Sequence, residues 1–293
     1  MKTLTCWLFF ASIVLASGLA NAQPAAVVEG VQMPAWVERS EGGAPPRRLP
    51  VLPGMLLKAG DKISTGAGSR MLVKLSEGSL VKLGENGSLE LRELEPSKTL
   101  FKAAFGVLVG AFRFTTDLAA KNRRRDVSIS VATVTAGIRG TDLWGKSAPN
   151  RQIVCLIEGQ VEVRAPNETP VTMDEPRQFY SRVNGLTQPV GLVEEAQLGE
   201  WAKETEIEKG KGAARAGGKW KVVLVSAAKQ DVALSVYDQV RAAGYGAEIV
   251  PTMAGEKRVY VVRIRSLPSK AEAQALADQL KGKYGVTGPK VSS

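Results

Sequence analysis

Residues 260–273 read Tyr260-Val261-Val262-Arg263-Ile264-Arg265-Ser266-Leu267-Pro268-Ser269-Lys270-Ala271-Glu272-Ala273. Tyr260, Val262 and Ile264 alternate with Val261, Arg263 and Arg265, the period of a strand with one face buried. Pro268 cannot continue a ladder. Ser269, followed three residues on by Glu272, has the spacing of a capping box that opens a helix. Ala273, Leu276, Ala277 and Leu280 then recur at helical spacing. The stretch reads strand, tight turn, helix.

Outward from it, strands are expected over 220–226, 247–250, 258–265 and 286–291, and helices over 230–243 and 269–282. Leu234, Val236, Tyr237 and Val240 form the apolar stripe of the first helix, and Gly244 ends it. The order βαββαβ is a complete small α+β domain of ferredoxin-like type, with helices on one sheet face and the other face open. Val222, Leu224, Val262 and Ile264 are placed under the helices. Period two then sets Lys221, Val223, Val225, Val261, Arg263 and Arg265 on the open face, as the candidate binding residues.

The stretch 260–273, with Trp220 and the Val222-x-Leu224 pair, resembles the SPOR domain family over nearly all of 219–291. It matches that family's arginine-bearing strand, short turn and alanine-rich helix. The resemblance implies binding of peptidoglycan, notably glycan strands stripped of their stem peptides, through the sheet surface. A basic and apolar floor suits that ligand: lactyl carboxylates pair with arginine, and sugar faces lie on apolar side chains. The first strand departs from the family. Where a glutamine and then Gly-Ser-Phe are common, this chain has Val223 and then Val225-Ser226-Ala227, losing a polar contact and an aromatic.

Residues 36–189 read as all-β. Met71, Val73 and Leu75, Val81 and Leu83, and Leu89 and Leu91 alternate with their neighbours. Glu77-Gly78-Ser79 and Asn86-Gly87-Ser88 are tight-turn signals between them. Leu75, Leu83 and Leu91 fall eight residues apart, as in short antiparallel strands or in stacked rungs, so the expected fold is a β-roll or sandwich-like domain. Residues 43–50, rich in Gly, Pro and Arg, read as a loop, and 121–125 as a basic loop. Val127, Ile129 and Val131, then 153–157, 160–164, 171–173 and 178–182, add strands. In 135–142, Gly137 and Gly140 are expected to take positive φ at a turn.

The Gly60-Asp61…Thr65-Gly66 turn, the Glu77-Gly78-Ser79 turn, Gly137-Ile138-Arg139-Gly140-Thr141 and Glu158-Gly159-x-Val161 resemble the FecR domain family over 54–165. The resemblance implies an all-β periplasmic module. Some members relay a signal from an outer-membrane receptor to a sigma regulator; those carry a cytoplasmic helical segment and a transmembrane helix ahead of the β domain. This chain has an export signal there instead, so the resemblance implies fold and compartment and argues against sigma signalling. An envelope protein partner is the contact it leaves open. The alternative function is a periplasmic signal-relay or regulatory protein without peptidoglycan binding.

The export signal is Lys2, the apolar run from Trp7 to Leu19, and Ala20-Asn21-Ala22, with cleavage expected after Ala22. The run falls short of the ~20 residues that span a bilayer, and no later segment is long and apolar enough, so the chain is expected to be periplasmic and not transmembrane. Residues 23–35 read as an arm. Residues 190–218 read as an exposed charged helix with Leu198 and Trp201 on one side, then a flexible Gly/Ala/Lys linker over 209–218. The expected division is 1–22 signal, 36–189 β domain, 190–218 helix and linker, and 219–293 α+β domain.

The 293 residues suit about two domains, and 44% apolar content can fill their cores. A net charge of +10 favours anionic partners without choosing among them. The chain has no histidine, which excludes Ser-His-Asp and Cys-His catalysis and histidine-bound zinc. Cys155, within an apolar strand, is the one thiol beyond residue 22, so a buried inert thiol is expected. No enzyme activity, metal or cofactor is expected. RNA binding on a βαββαβ sheet needs outward aromatics. Parity turns Tyr260 inward and leaves none outward, so no nucleic-acid partner is expected either.

Overall fold

The computed structural model describes residues 25–97, 99–117 and 124–293, so the expected export signal lies outside the described residues. The strands of the N-terminal part are β1 (Ala26–Gln32), β2 (Ala35–Arg39), β3 (Arg47–Pro50), β4 (Leu56–Leu57), β5 (Lys62–Thr65), β6 (Arg70–Leu75), β7 (Leu80–Leu83), β8 (Ser88–Pro96) and β9 (Leu100–Thr115). They continue as β10 (Arg124–Val131), β11 (Val134–Ala148), β12 (Arg151–Arg164), β13 (Val171–Met173), β14 (Gln178–Val183), β15 (Leu186–Thr187) and β16 (Gly191–Leu192). Helix α1 (Glu195–Lys203) and β17 (Ala213–Arg215) lead into β18 (Trp220–Ala227), α2 (Gln230–Ala242), β19 (Ala247–Ala254), β20 (Lys257–Leu267), α3 (Lys270–Leu280) and β21 (Lys290–Ser292).

The N-terminal part is all-β and the C-terminal part α+β, as the periodicities require. Strands β6, β7 and β8 are antiparallel members of one network: Met71 faces Leu83 and Val73 faces Val81. Residues 135–142 are not a turn but part of the long strand β11. Gly140 alone of the two glycines takes positive φ, +66°, at a bulge where β11 shifts register against β12. Gly159 crosses it there with φ +90°, and a Cβ on it would lie 2.4 Å from the Gly140 carbonyl oxygen. The two glycines thus allow a backbone crossing that no side chain could share.

Other signature residues of this region are also occupied structurally. Asp61 is buried; its carboxylate accepts from Arg39 Nε at 2.7 Å and Nη2 at 2.6 Å and from the Lys58 amide at 2.8 Å. Thr65 Oγ1 donates to the Gly84 carbonyl at 2.5 Å and accepts from the Gly87 amide at 2.9 Å. Asp142 takes Arg113 bidentately at 2.9 and 2.7 Å, and this hydrogen bonding holds the guanidinium above its usual pKa.

Three expectations about connecting segments are corrected. Residues 23–35 are not an arm: Ala26, Val28 and Val31 are buried, and β1 pairs with β6 along most of its length. Residues 47–50 are not loop but β3, paired with β2. Residues 209–218 are not a flexible linker: β17 pairs with β1, matching Gly30 with Arg215 and Gln32 with Ala213. The charged stretch before it is pinned to the sheet by Lys146–Glu204 at 2.7 Å and by Lys82–Glu206. On α1, Trp201 stacks on the buried Trp144 at 4.7 Å and meets Phe179 edge-on, so the apolar side of the helix is docked.

Cys155 is buried, and desolvation pushes its thiol up to about 12. The thiolate is the reactive form, so a chain lacking residues 1–22 is expected to give no disulfide-exchange signal with Ellman's reagent at pH 8 until guanidinium unfolds it. One equivalent titrating in the folded state would contradict this burial.

Candidate functional site

The C-terminal sheet has the order β19-β20-β18-β21, with antiparallel pairing throughout. Val222, Leu224, Val262 and Ile264 are buried under the helices, together with Val236, Val240, Leu276 and Leu280. This half of the alternation is as expected. Strand β21 begins only at Lys290, because Val286 is buried in the turn after α3 and Tyr284 and Gly285 take positive φ.

The other face holds most, not all, of the six expected residues. Val223 stands opposite Arg263 across β18–β20, and Arg263 opposite Glu248 across β19–β20. Val261 lies two residues away on the same side. Val225 is the exception. Strand β18 bulges at Leu224, so Val223 pairs with Arg263 but Val225 pairs with Val262. Cross-strand partners share a face, and Val225 packs against the buried core. Ser226, exposed and opposite Val261, takes its place on the open face. Tyr260 likewise packs against the core, opposite Ala227.

A second bulge shapes the arginine end. Trp220 pairs with Leu267 but Val222 with Ile264, so Arg265 and Ser266 together face Lys221. Ser266 takes φ +66° within it, a conformation that costs a non-glycine residue about 1 kcal/mol or more. Arg265 is the most exposed of the set, its side chain 59% accessible. Lys221 Nζ donates to the Ser293 carbonyl at 2.9 Å.

Periodicity alone missed Glu248. Arg263 Nε donates to Glu248 Oε1 at 2.5 Å, and Arg265 Nε stands 2.7 Å from the same oxygen. The arginines are therefore not two independent cations. The signal was present in Ala247-Glu248-Ile249-Val250, where a strand reading puts Glu248 and Val250 on the side opposite Ala247; only the pairing of β19 with β20 sets that side beside the arginines. A cleft of about 320 Å³ opens at this edge, lined by Leu52 and Pro53 of the β domain, by Tyr237 and Arg241 of α2, and by Glu248 and Arg265.

The rest of the chain meets the helix side of the domain at the C-terminal end of α2 and along α3 near Glu272, while the outer faces of both helices stay exposed. Gly244 ends α2 with φ +87°, and its carbonyl accepts from the Ala35 amide at 3.0 Å. A Cβ there would lie 2.6 Å from the Trp36 ring, so only glycine permits this approach. The Trp36 indole donates to the Ala242 carbonyl. Glu272, expected to reach back to Ser269 in a capping box, does something else. Ser269 Oγ does accept from the Glu272 amide at 3.2 Å. The Glu272 carboxylate instead accepts from the amides of Gly210, Gly212 and Ala213 at 2.7, 2.8 and 3.0 Å. One apolar core runs from Val28 and Ala214 through to Val222 and Leu276. On the opposite sheet face Ser226 and Arg265 are exposed and Lys221, Val223, Val261 and Arg263 partly so among the described residues.

Among the described residues no group of three or more Cys, Asp or Glu side chains is placed to hold a metal ion, and no helix is long and apolar enough to cross a membrane.

Two family models match the chain: FecR protein over residues 61–162 and SPOR domain over residues 216–289. No curated protein matches it. Similar solved structures include two of a candidate anti-sigma factor from Parabacteroides distasonis ATCC 8503, each 16% identical. One alignment covers 48% of this chain and 64% of that one with a TM-score of 0.40; the other covers 74% and 89% with 0.39. The chain thus carries a FecR region followed by a SPOR domain, in that order from N- to C-terminus.

Proposed function

We propose that this is an exported, periplasmic cell-envelope protein whose SPOR domain binds peptidoglycan, through glycan strands stripped of stem peptides, and whose FecR region makes a protein contact. The observation that carries the reading is the sheet face of the SPOR domain, floored by Val223, Val261, Arg263 and Arg265 on the side away from α2 and α3. Apolar side chains take sugar faces and guanidinium groups take lactyl carboxylates. No aromatic side chain stands at 221, 223, 226, 261, 263 or 265, so the face lacks the stacking platform of an RNA-binding sheet. Export rests on the residue pattern of 1–22. Binding without turnover is the expected behaviour, since the chain has no histidine to activate the Ser226 hydroxyl on this face.

Co-sedimentation of the full chain with purified sacculi tests the reading. Amidase pretreatment, which strips stem peptides, should raise the pelleted fraction severalfold. A chain that stays in the supernatant with and without amidase would overturn it. A relay role is the second reading, carried by the FecR match at 61–162. It predicts a stable complex with a membrane component that forms equally well when the sheet face is altered.

A further inference from the structure

We infer that Glu248 is a positioning residue that builds Arg263 and Arg265 into one site for a single carboxylate. The inference rests on the glycan reading for its natural ligand, but its geometry stands separately. Glu248 and Arg263 are direct cross-strand partners on the open face. One oxygen, Oε1, accepts a hydrogen bond from Arg263 Nε at 2.5 Å and makes an ion pair with Arg265, whose Nε lies 2.7 Å away. Among the described residues no hydrogen bond engages the Nη atoms of either arginine. An arginine held through Nε keeps its two Nη donors, the pair able to grip a carboxylate or phosphate.

Charge favours the same conclusion. Two guanidinium charges less one carboxylate leave a single positive charge, which one carboxylate per binding unit would complete. A carboxylate spent on simple neutralisation would take one arginine bidentately, as Asp142 takes Arg113. Glu248 instead shares one oxygen between two cations, which sets them side by side against their mutual repulsion. The three side chains are partly exposed, so a ligand can reach them without unfolding the strand. The site also opens onto the cleft walled by Leu52 and Pro53, so the β domain borders it just ahead of the FecR match. The chemical class is a sugar acid or a polymer of them, and the neutral sugar lacking the carboxylate is the discriminating control.

The test is NMR titration of the arginine Nε–H signals of the full chain with N-acetylmuramic acid and, separately, with N-acetylglucosamine. The sugar acid should shift the Arg263 and Arg265 signals saturably, and the neutral sugar should not. In Glu248→Gln, whose amide oxygen still accepts from Nε, affinity should stay within about threefold, whereas Glu248→Ala should weaken it about tenfold or more. Unchanged or tighter binding by Glu248→Ala would overturn the inference, making Glu248 a bystander or a competitor. So would sugar acid that leaves both arginine signals unmoved in the native chain. If sacculi are bound while the arginine signals stay still, the inference fails and the glycan reading survives. If the arginines respond but sacculi are not bound, the reading fails and the carboxylate site stands.

Discussion

Replacing Glu272 with Ala is expected to cost the folded chain about 3–5 kcal/mol, because it strips a buried carboxylate from three backbone amides, two of which, Gly212 and Ala213, are buried away from water. Glu272 is 8% exposed, and it holds Gly210, Gly212 and Ala213 against the first turn of α3. The three bonds act as a unit, so their separate worths do not add. Glu272→Gln keeps one acceptor oxygen but sets an amide NH2 against backbone donors, and an intermediate loss of about 2 kcal/mol is expected. Urea unfolding gives the free energies. Limited trypsin digestion gives the location: in Glu272→Ala, cleavage after Lys209 and Lys211 should become the first event and release the two domains from each other. Equal cleavage of the native chain at those sites would mean that the segment is free and the clasp carries nothing.

The clasp bears on function because it changes what the β domain is to the sheet face. A SPOR domain on a flexible tether would sample orientations freely, and the FecR region would be carried nearby. Here β17 belongs to the β network, Gly244 abuts Trp36, and Glu272 closes the connection. Ligand bound on the open face is therefore held at a defined side of the β domain, next to Leu52 and Pro53.

Most of the elements were legible in the residues, and most of the connections were not. The alternation of Tyr260, Val262 and Ile264 sufficed to place the buried side of β20, because period two needs no knowledge of partners. The same rule misplaced Val225, since one extra residue at the Leu224 bulge turns every later side chain of the strand over, and nothing local announces it. The glycine-rich stretch 209–218 has the composition of a linker, but composition reports what a segment can do when nothing holds it. Glu272 holds it from 59 to 62 residues away. Glu272 also satisfied the capping-box pattern, so the local reading gave no hint that its carboxylate points elsewhere. The strand β1 did carry a signal, with Ala26 and Val28 on one side and Val27 and Glu29 on the other, obscured by the prolines on either side. Glu248 needed the β19–β20 register, a pairing between strands that sequence alone does not align.

The second large effect is on the face itself. Removing both guanidinium groups, in Arg263→Ala with Arg265→Ala, should leave the fold intact, since both side chains lie partly in solvent. It should remove the charge-assisted bonds available to a ligand carboxylate, worth together about 3 kcal/mol, or about a hundredfold in affinity. The remaining apolar floor at Val223 and Val261 is not expected to retain the chain on a polymer. The direct measurement is the fraction of full chain that sediments with amidase-treated sacculi, for the native chain and for this double variant, with matched thermal melts as the control for folding. The native chain should pellet and the variant should stay in the supernatant. Equal pelleting of the two would place the peptidoglycan contact somewhere other than the open face of the C-terminal sheet.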